Sequence, residues 1–266
     1  MSVKLEGNIL VTGANRGIGL ELVKQLAEKT AKEVHVYACC REPEGARAEA
    51  LKDLTSQYPG KIIVIKLDMA DEDSISAAVQ AVRQHIGAGG LNLLINNAAI
   101  NKPAPPAPLL ATGKKDMMDV YETNVVGPFI LSKMFLPLLQ RAAERYSTDK
   151  ENGDEMSCRR SAIINISTVF SSMEKCPETF SVAQMYPYRT SKAALNMLTR
   201  CQSEDFKINN ILVTAIHPGW VRTEMGGEQA PLSTQDSVVG ILNVISSLSN
   251  KDSGMLLDLQ GNMIPW

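Results

Sequence analysis

Thr12-Gly13-Ala14-Asn15-Arg16-Gly17-Ile18-Gly19 decides the fold because of what stands on either side of it. Upstream, Asn8-Ile9-Leu10-Val11 is a short apolar run with β-branched residues, the pattern of a strand buried in a parallel sheet. Downstream, Ile18, Leu22 and Leu26 recur at i, i+4 and i+8, one face of a helix. Glycines between a strand and a helix let the backbone approach a pyrophosphate. The helix N-terminus adds free N–H groups and the positive end of its dipole. Gly13, Asn15, Arg16, Gly17, Ile18 and Gly19 are therefore expected to cradle a dinucleotide. The spacing G-x-x-x-G-x-G departs from G-x-G-x-x-G, so an ordinary glycine-rich loop competes as a reading of these residues taken alone.

Outward from this turn the chain alternates. Strands are expected at Ile9–Thr12, Val34–Cys39, Ile62–Leu67, Leu91–Asn96, Ala162–Ile166, Ile211–Ile216 and Met255–Leu259. Helical periodicity covers Asp73–Ile86, with Ile75, Val79, Val82 and Ile86 on one face. It also covers Met117–Glu144, interrupted at Gly127-Pro128, and Ser191–Phe206. Alternation of this kind predicts an α/β fold: one Rossmann-like, doubly wound parallel sheet of about seven strands with helices on both faces. A single domain over residues 1–266 is expected. Asn101–Pro108 reads as a proline-rich loop, Ser147–Ser157 as a polar surface excursion and 224–240 as a lid over the substrate.

Composition excludes several classes. At 266 residues the chain buries a substantial core without disulfides. A net charge of −2 and a pI near 6.0 leave no basic footprint for nucleic acid. Cys39, Cys40, Cys158, Cys176 and Cys201 form no C-x-x-C pair and suit a reducing cytosol. Met1–Gly7 does not read as a signal peptide, and no apolar stretch reaches membrane-spanning length, so a cytoplasmic protein without a membrane partner is expected. His35, His85 and His217 do not cluster with other ligands, so no metal is expected.

Two features carry chemistry. Tyr188 and Lys192 stand at i and i+4 in Y-R-T-S-K and share a helix face. A nearby ammonium favours the phenolate and is expected to lower the phenol's pKa toward neutrality. After the second strand, where an NAD site usually carries an acid for the ribose 2′-OH, this chain has Cys39-Cys40-Arg41. Arg41, with Arg16 from the other side, can pair with a 2′-phosphate, so NADP(H) is the expected cofactor.

The chain resembles the short-chain dehydrogenases/reductases over nearly its whole length. Thr12–Gly19 matches T-G-x-x-x-G-x-G, and Asn96-Asn97-Ala98-Ala99 matches N-N-A-G with alanine last. Tyr188 and Lys192 match Y-x-x-x-K, Asn124 sits where the family keeps an asparagine, and Pro218–Thr223 matches the P-G motif. Tyr186–Lys192, His217–Val221 and Gly261–Trp266 resemble carbonyl reductases of the Sniffer type. The resemblance implies NADPH-dependent hydride transfer to a ketone, aldehyde or quinone. Tyr188 would be the general acid, Lys192 would also hold the nicotinamide ribose, and Asn124 would position a water. It further implies cofactor contacts at Asp68, Asn97, Pro218, Gly219, Val221 and Thr223, a substrate contact at Trp220, and pairing as a homodimer or homotetramer in many members.

One position departs from the family. Its N-[IV]-S-S becomes Asn165-Ile166-Ser167-Thr168, so register counted from Asn165 puts Thr168 at the active-site hydroxyl, with Ser167 as the alternative. An alcohol or steroid dehydrogenase, an NADP-binding sensor without turnover and a methyltransferase remain as other readings. The tyrosine–lysine pair has no use in the last.

Overall fold

The computed structural model describes residues 4–147 and 155–266. Most of the expected excursion at Ser147–Ser157, and the first three residues of the leader reading, lie outside them. Seven strands form one sheet: β1 Asn8–Thr12, β2 His35–Cys40, β3 Ile62–Lys66, β4 Leu93–Asn96, β5 Ala162–Ile166, β6 Leu212–Ile216 and β7 Leu256–Leu257. Every adjacent pair is parallel, in the order β3-β2-β1-β4-β5-β6-β7. The helices are α1 Gly17–Lys29, α2 Glu49–Gln57, α3 Glu72–Ile86, α4 Lys114–Tyr121, α5 Gly127–Ser147, α6 Cys176–Thr179, α7 Tyr186–Asp205 and α8 Thr234–Ser247.

Strand side chains alternate between two apolar layers because successive residues point to opposite faces. Ile9 and Val11 of β1, Val36 and Ala38 of β2 and Ala162 and Ile164 of β5 join α1, α2 and α8 in one layer. Leu10, Tyr37, Cys39 and Ile163 face the other, against α3 and α5. Both faces are covered by helices, which is why the strands read as near-continuous apolar runs.

Where elements differ from expectation, local chemistry explains it. Asp71 accepts from Asp73 N (3.0 Å) and Ser74 N (3.2 Å), so α3 begins one residue early, at Glu72. The helix break expected at Gly127-Pro128 falls instead at Glu122–Val126, a π turn. Gly127 opens α5 and must be glycine because it abuts Met69: a Cβ there would lie 2.4 Å from the Met69 carbonyl. α7 starts at Tyr186, five residues before the expected Ser191, with Pro187 in its first turn. β7 keeps only Leu256–Leu257 of the expected Met255–Leu259. Residues 234–240, expected within the lid, are the start of α8: Ser233 caps it by accepting from Asp236 N (3.0 Å), and Val238 is fully buried. Among the described residues no helix is long and apolar enough to cross a membrane.

Candidate active site

From β1 the chain winds outward to β2 and β3 on one side, then returns to β4 on the other. Ligands of open parallel sheets bind beyond the strand ends at such a switch point. A cleft of about 940 Å³ lies there, lined by Gly13, Asn15, Arg16, Gly17, Ile18, Arg41, Asp68, Asn97, Tyr188, Lys192, Pro218 and Thr223 among the residues singled out in the sequence. Gly19, Asn124, Thr168, Gly219, Trp220 and Val221 are not part of the lining.

The glycine turn is shaped to admit a ligand. Gly13 (φ +66°) and Gly17 (φ +55°) adopt left-handed backbone that disfavours side chains. A Cβ on Gly19 would lie 2.1 Å from the Gly13 carbonyl and 2.6 Å from Asn97 Nδ2, so only glycine lets α1 approach β1. Asn97 braces the turn by donating from Nδ2 to the Thr12 carbonyl (2.9 Å) and the Gly13 carbonyl (3.3 Å). No side chain caps α1 and no acid occupies its first turn. Its N–H groups and dipole are thus available for an anion, so the cradle fits a pyrophosphate.

A positive corner lies beside it. Arg16 at the N-cap of α1 is ion-paired with Glu224. Its pKa is lowered by burial and then by the charges of Arg47 and Arg41. Arg47 is a participant that sequence reasoning missed. The Asn15 amide donates to its carbonyl (3.2 Å), but no motif spacing links Arg47 to the glycine turn. Asp68 lines the cleft and also turns the chain, accepting from Ala70 N (3.0 Å).

Tyr188, in the first turn of α7, is half-buried among Ala107, Phe170, Ala183 and Met185. Lys192 Nζ lies 5.8 Å from the Tyr188 ring centre and donates to the Ile166 carbonyl at the end of β5 (2.7 Å). The expected lowering of the phenol's pKa is corrected here. Burial pushes Tyr188 up to about 12 and Lys192 down to about 7. Desolvation penalises both charged forms and outweighs their mutual attraction.

Asn124 lies in the π turn, fully buried. It exchanges two hydrogen bonds with Ile100, accepting from its N–H and donating to its carbonyl (2.9 Å each), and donates to Ser191 Oγ (3.1 Å). Its side-chain amide therefore ties the loop after β4 to α7, with both N–H groups spent inside the protein. Ser167 lines the cleft, but its hydroxyl donates to Asn196 Oδ1 (2.6 Å). Thr168 Oγ1 accepts from Phe170 N (3.2 Å), which leaves its proton unassigned.

Trp220 is 53% exposed and donates from Nε1 to the Gly226 carbonyl (2.7 Å), anchoring the loop after the P-G motif and not lining the cleft. That loop reaches the cleft through Arg222, Thr223, Glu224 and Met225. Gly219 (φ +80°) makes its turn, and Val221 pairs with Leu232 at its base. Burial lowers His217 to about 4, partly opposed by Asp258, so it stands neutral. Among the described residues no group of three or more His, Cys, Asp or Glu could hold a metal.

A family model described as short chain dehydrogenase matches residues 7–232. A short-chain dehydrogenase, anuI, of Penicillium roqueforti is 30% identical, covering 96% of this chain and 95% of its own. The NADPH-bound carbonyl reductase from chicken fatty liver superposes with a TM-score of 0.91 at 42% identity, covering 99% of this chain and 96% of its own. The carbonyl reductase Sniffer of D. melanogaster superposes with a TM-score of 0.88 at 34% identity, covering 98% of this chain and 100% of its own.

Proposed function

The chain belongs to the short-chain dehydrogenase family, and from that premise we propose that it is an NADPH-dependent carbonyl reductase acting on ketones, aldehydes or quinones. The observation that carries this reading is the meeting, in one cleft, of Tyr188 and Lys192 with the glycine cradle and the arginine corner. The two solved relatives are themselves carbonyl reductases, one holding NADPH.

Gly13, Gly17 and Gly19 would admit the pyrophosphate at the start of α1, and Arg16 and Arg41 would pair with the 2′-phosphate. Bound there, NADPH supplies the hydride. Tyr188, kept as a neutral phenol by burial, is in the protonation state of a proton donor and protonates the carbonyl oxygen as charge builds on it. Lys192, titrating near 7, can return a proton toward the phenol at working pH, and its remaining N–H groups can hold the ribose. The Thr168 hydroxyl, its oxygen already accepting from Phe170, can donate to the same carbonyl oxygen. Asn124 fixes α7 against the loop after β4 and so sets where Tyr188 stands.

The test is consumption of NADPH with a panel of quinones, dicarbonyls, aromatic aldehydes and ketosteroids. Tyr188→Phe should bind NADPH as the parent does and lose about 10²–10⁴ in turnover. Tight NADPH binding without consumption across the panel would leave a cofactor sensor in place of an enzyme. Parent-like turnover in Tyr188→Phe would move the proton donor elsewhere.

A further inference from the structure

Arg189 follows Tyr188 on α7 and is buried, yet it forms no ion pair with an acid among the described residues. Its guanidinium is spent on the segment that joins β5 to α7. Nε donates to the Ala183 carbonyl (3.0 Å). Nη1 donates to the Phe170 carbonyl (3.3 Å) and Thr179 Oγ1 (3.0 Å). Nη2 donates to the carbonyls of Thr179 (2.7 Å) and Ala183 (2.8 Å). The planar group also lies 4.4 Å from the Phe170 ring centre and 5.7 Å from that of Phe180, in cation–π range. One side chain thus grips the connecting segment at four residues.

That segment begins beside Thr168 and ends at Met185. Phe170, Ala183 and Met185 pack against Tyr188 together with Ala107. Met185 itself has φ +39°, a left-handed conformation costly for a side-chain-bearing residue, and persists only where its surroundings over-determine it. The first backbone bond of α7, from the Arg189 N–H to the Met185 carbonyl (2.9 Å), is one such constraint, and the Arg189 guanidinium adds a second by holding Ala183 two residues earlier. The apolar wall beside the phenol is therefore positioned from the catalytic helix.

We propose that Arg189 is a positioning residue that latches the segment between β5 and α7 onto α7, and so shapes the apolar packing behind Tyr188, the one member of that cluster that lines the cleft where a carbonyl substrate would bind. The proposal rests on the carbonyl reductase reading for its substrate. Arg189 touches no reacting atom; its effect passes through Phe170, Ala183 and Met185. A bulky aromatic ketone should need this packing more than a small aldehyde does, whereas the cofactor cradle, built from β1 and α1, should not.

The test compares full-length parent, Arg189→Met and Arg189→Lys. Methionine keeps an apolar stem and removes every donor; lysine keeps the charge and loses the planar fork. Expected for both variants is a KM for an aromatic ketone raised by about tenfold or more, a KM for a small aldehyde within about threefold of the parent, and NADPH affinity within about twofold. Failure of lysine to restore the parent values identifies the fork and not the charge. Amide hydrogen exchange should quicken over residues 170–185 and stay parent-like in β1 and α1. Unchanged KM values and substrate ranking would overturn the proposal, as would a uniform fall in kcat, affinity and exchange protection across the whole chain. If the parent reduces no carbonyl, the proposed function fails. Exchange then decides the latch alone, and parent-like protection of 170–185 in Arg189→Met overturns it.

Discussion

Ser167 and Thr168 are neighbours with opposite hydrogen-bonding duties. Ser167 gives its proton to Asn196, whereas Thr168 receives a bond from Phe170 N–H and keeps its proton. Thr168→Val preserves shape and removes that proton, so turnover should fall by about 10²-fold or more, the usual cost of one oxyanion donor. Ser167→Ala should instead cost about 1–3 kcal/mol of stability, because Asn196 Oδ1 loses its donor, and leave the rate near the parent's. Steady-state kinetics beside urea unfolding separates the two, and the reverse ranking would hand the catalytic role to Ser167. The proposed cofactor choice also rests on single residues. Arg41 stands where an NAD site would carry an acid, and Arg16 and Arg47 add charge at the same corner. Arg41→Asp should erase or invert the preference for NADPH over NADH, read from the ratio of their dissociation constants. A preference for NADH in the parent would refute the assignment.

At the scale of elements, the cradle depends on how closely α1 approaches β1. Gly19→Ala would place a methyl 2.1 Å from the Gly13 carbonyl, a backbone atom that cannot rotate away. Overpacking of this kind costs about 1–3 kcal/mol or more and displaces the helix start that would bind the pyrophosphate. Gly17→Ala meets only Thr223 Cγ2 at 3.3 Å, although its φ of +55° adds strain. Gly19→Ala should therefore weaken NADPH binding more than Gly17→Ala, measured by titration on folded protein. Equal losses would mean that the close approach is not what shapes the cradle. The π turn works at the same scale. It sets Asn124 inward, where one amide joins the loop after β4 to the helix that carries Tyr188 and Lys192.

For the whole molecule, buried titratable groups set the pH of greatest stability. Burial holds Lys192 near 7 in the folded protein against 10.5 unfolded, so between these values the unfolded chain binds the extra proton and stability rises with pH. His217, near 4 folded against 6.5 unfolded, acts in the same sense at lower pH. Burial raises the Cys39 and Cys158 thiols above their ordinary value of 9.0 and Tyr188 from 10.0 to about 12. Above those ordinary values the folded chain holds the extra protons, and stability falls. The urea midpoint should therefore climb from pH 5 to a maximum near about pH 9 and then decline. Lys192→Met should flatten the climb above pH 7, and a flat profile in the parent would show that Lys192 is not desolvated.

The sequence alone determined what short stretches encode. Strands buried on both faces must be almost wholly apolar, so all seven were legible as runs, and the strand–glycine–helix order of residues 8–26 specified a parallel sheet and its ligand-binding end. The i, i+4 spacing of Tyr188 and Lys192 placed them on one helix face, and Arg41 followed directly from the end of its strand. Element ends were less legible. Periodicity alone began α7 at Ser191, although the Tyr188–Lys192 spacing already placed Tyr188 on that helix, and the core helix α8 escaped because residues 234–240 read as part of a lid. Only the tertiary structure decided the state of the site. It desolvated the half-buried Tyr188 and the buried Lys192, which reversed the expected shift of the phenol. It also set Trp220 outside the cleft, brought Arg47 to the glycine turn and paired Arg16 with Glu224, 208 positions away. The physical reason is range: backbone preference and periodicity are settled among near neighbours, whereas desolvation and the partner of a charge depend on segments that meet only when the sheet closes.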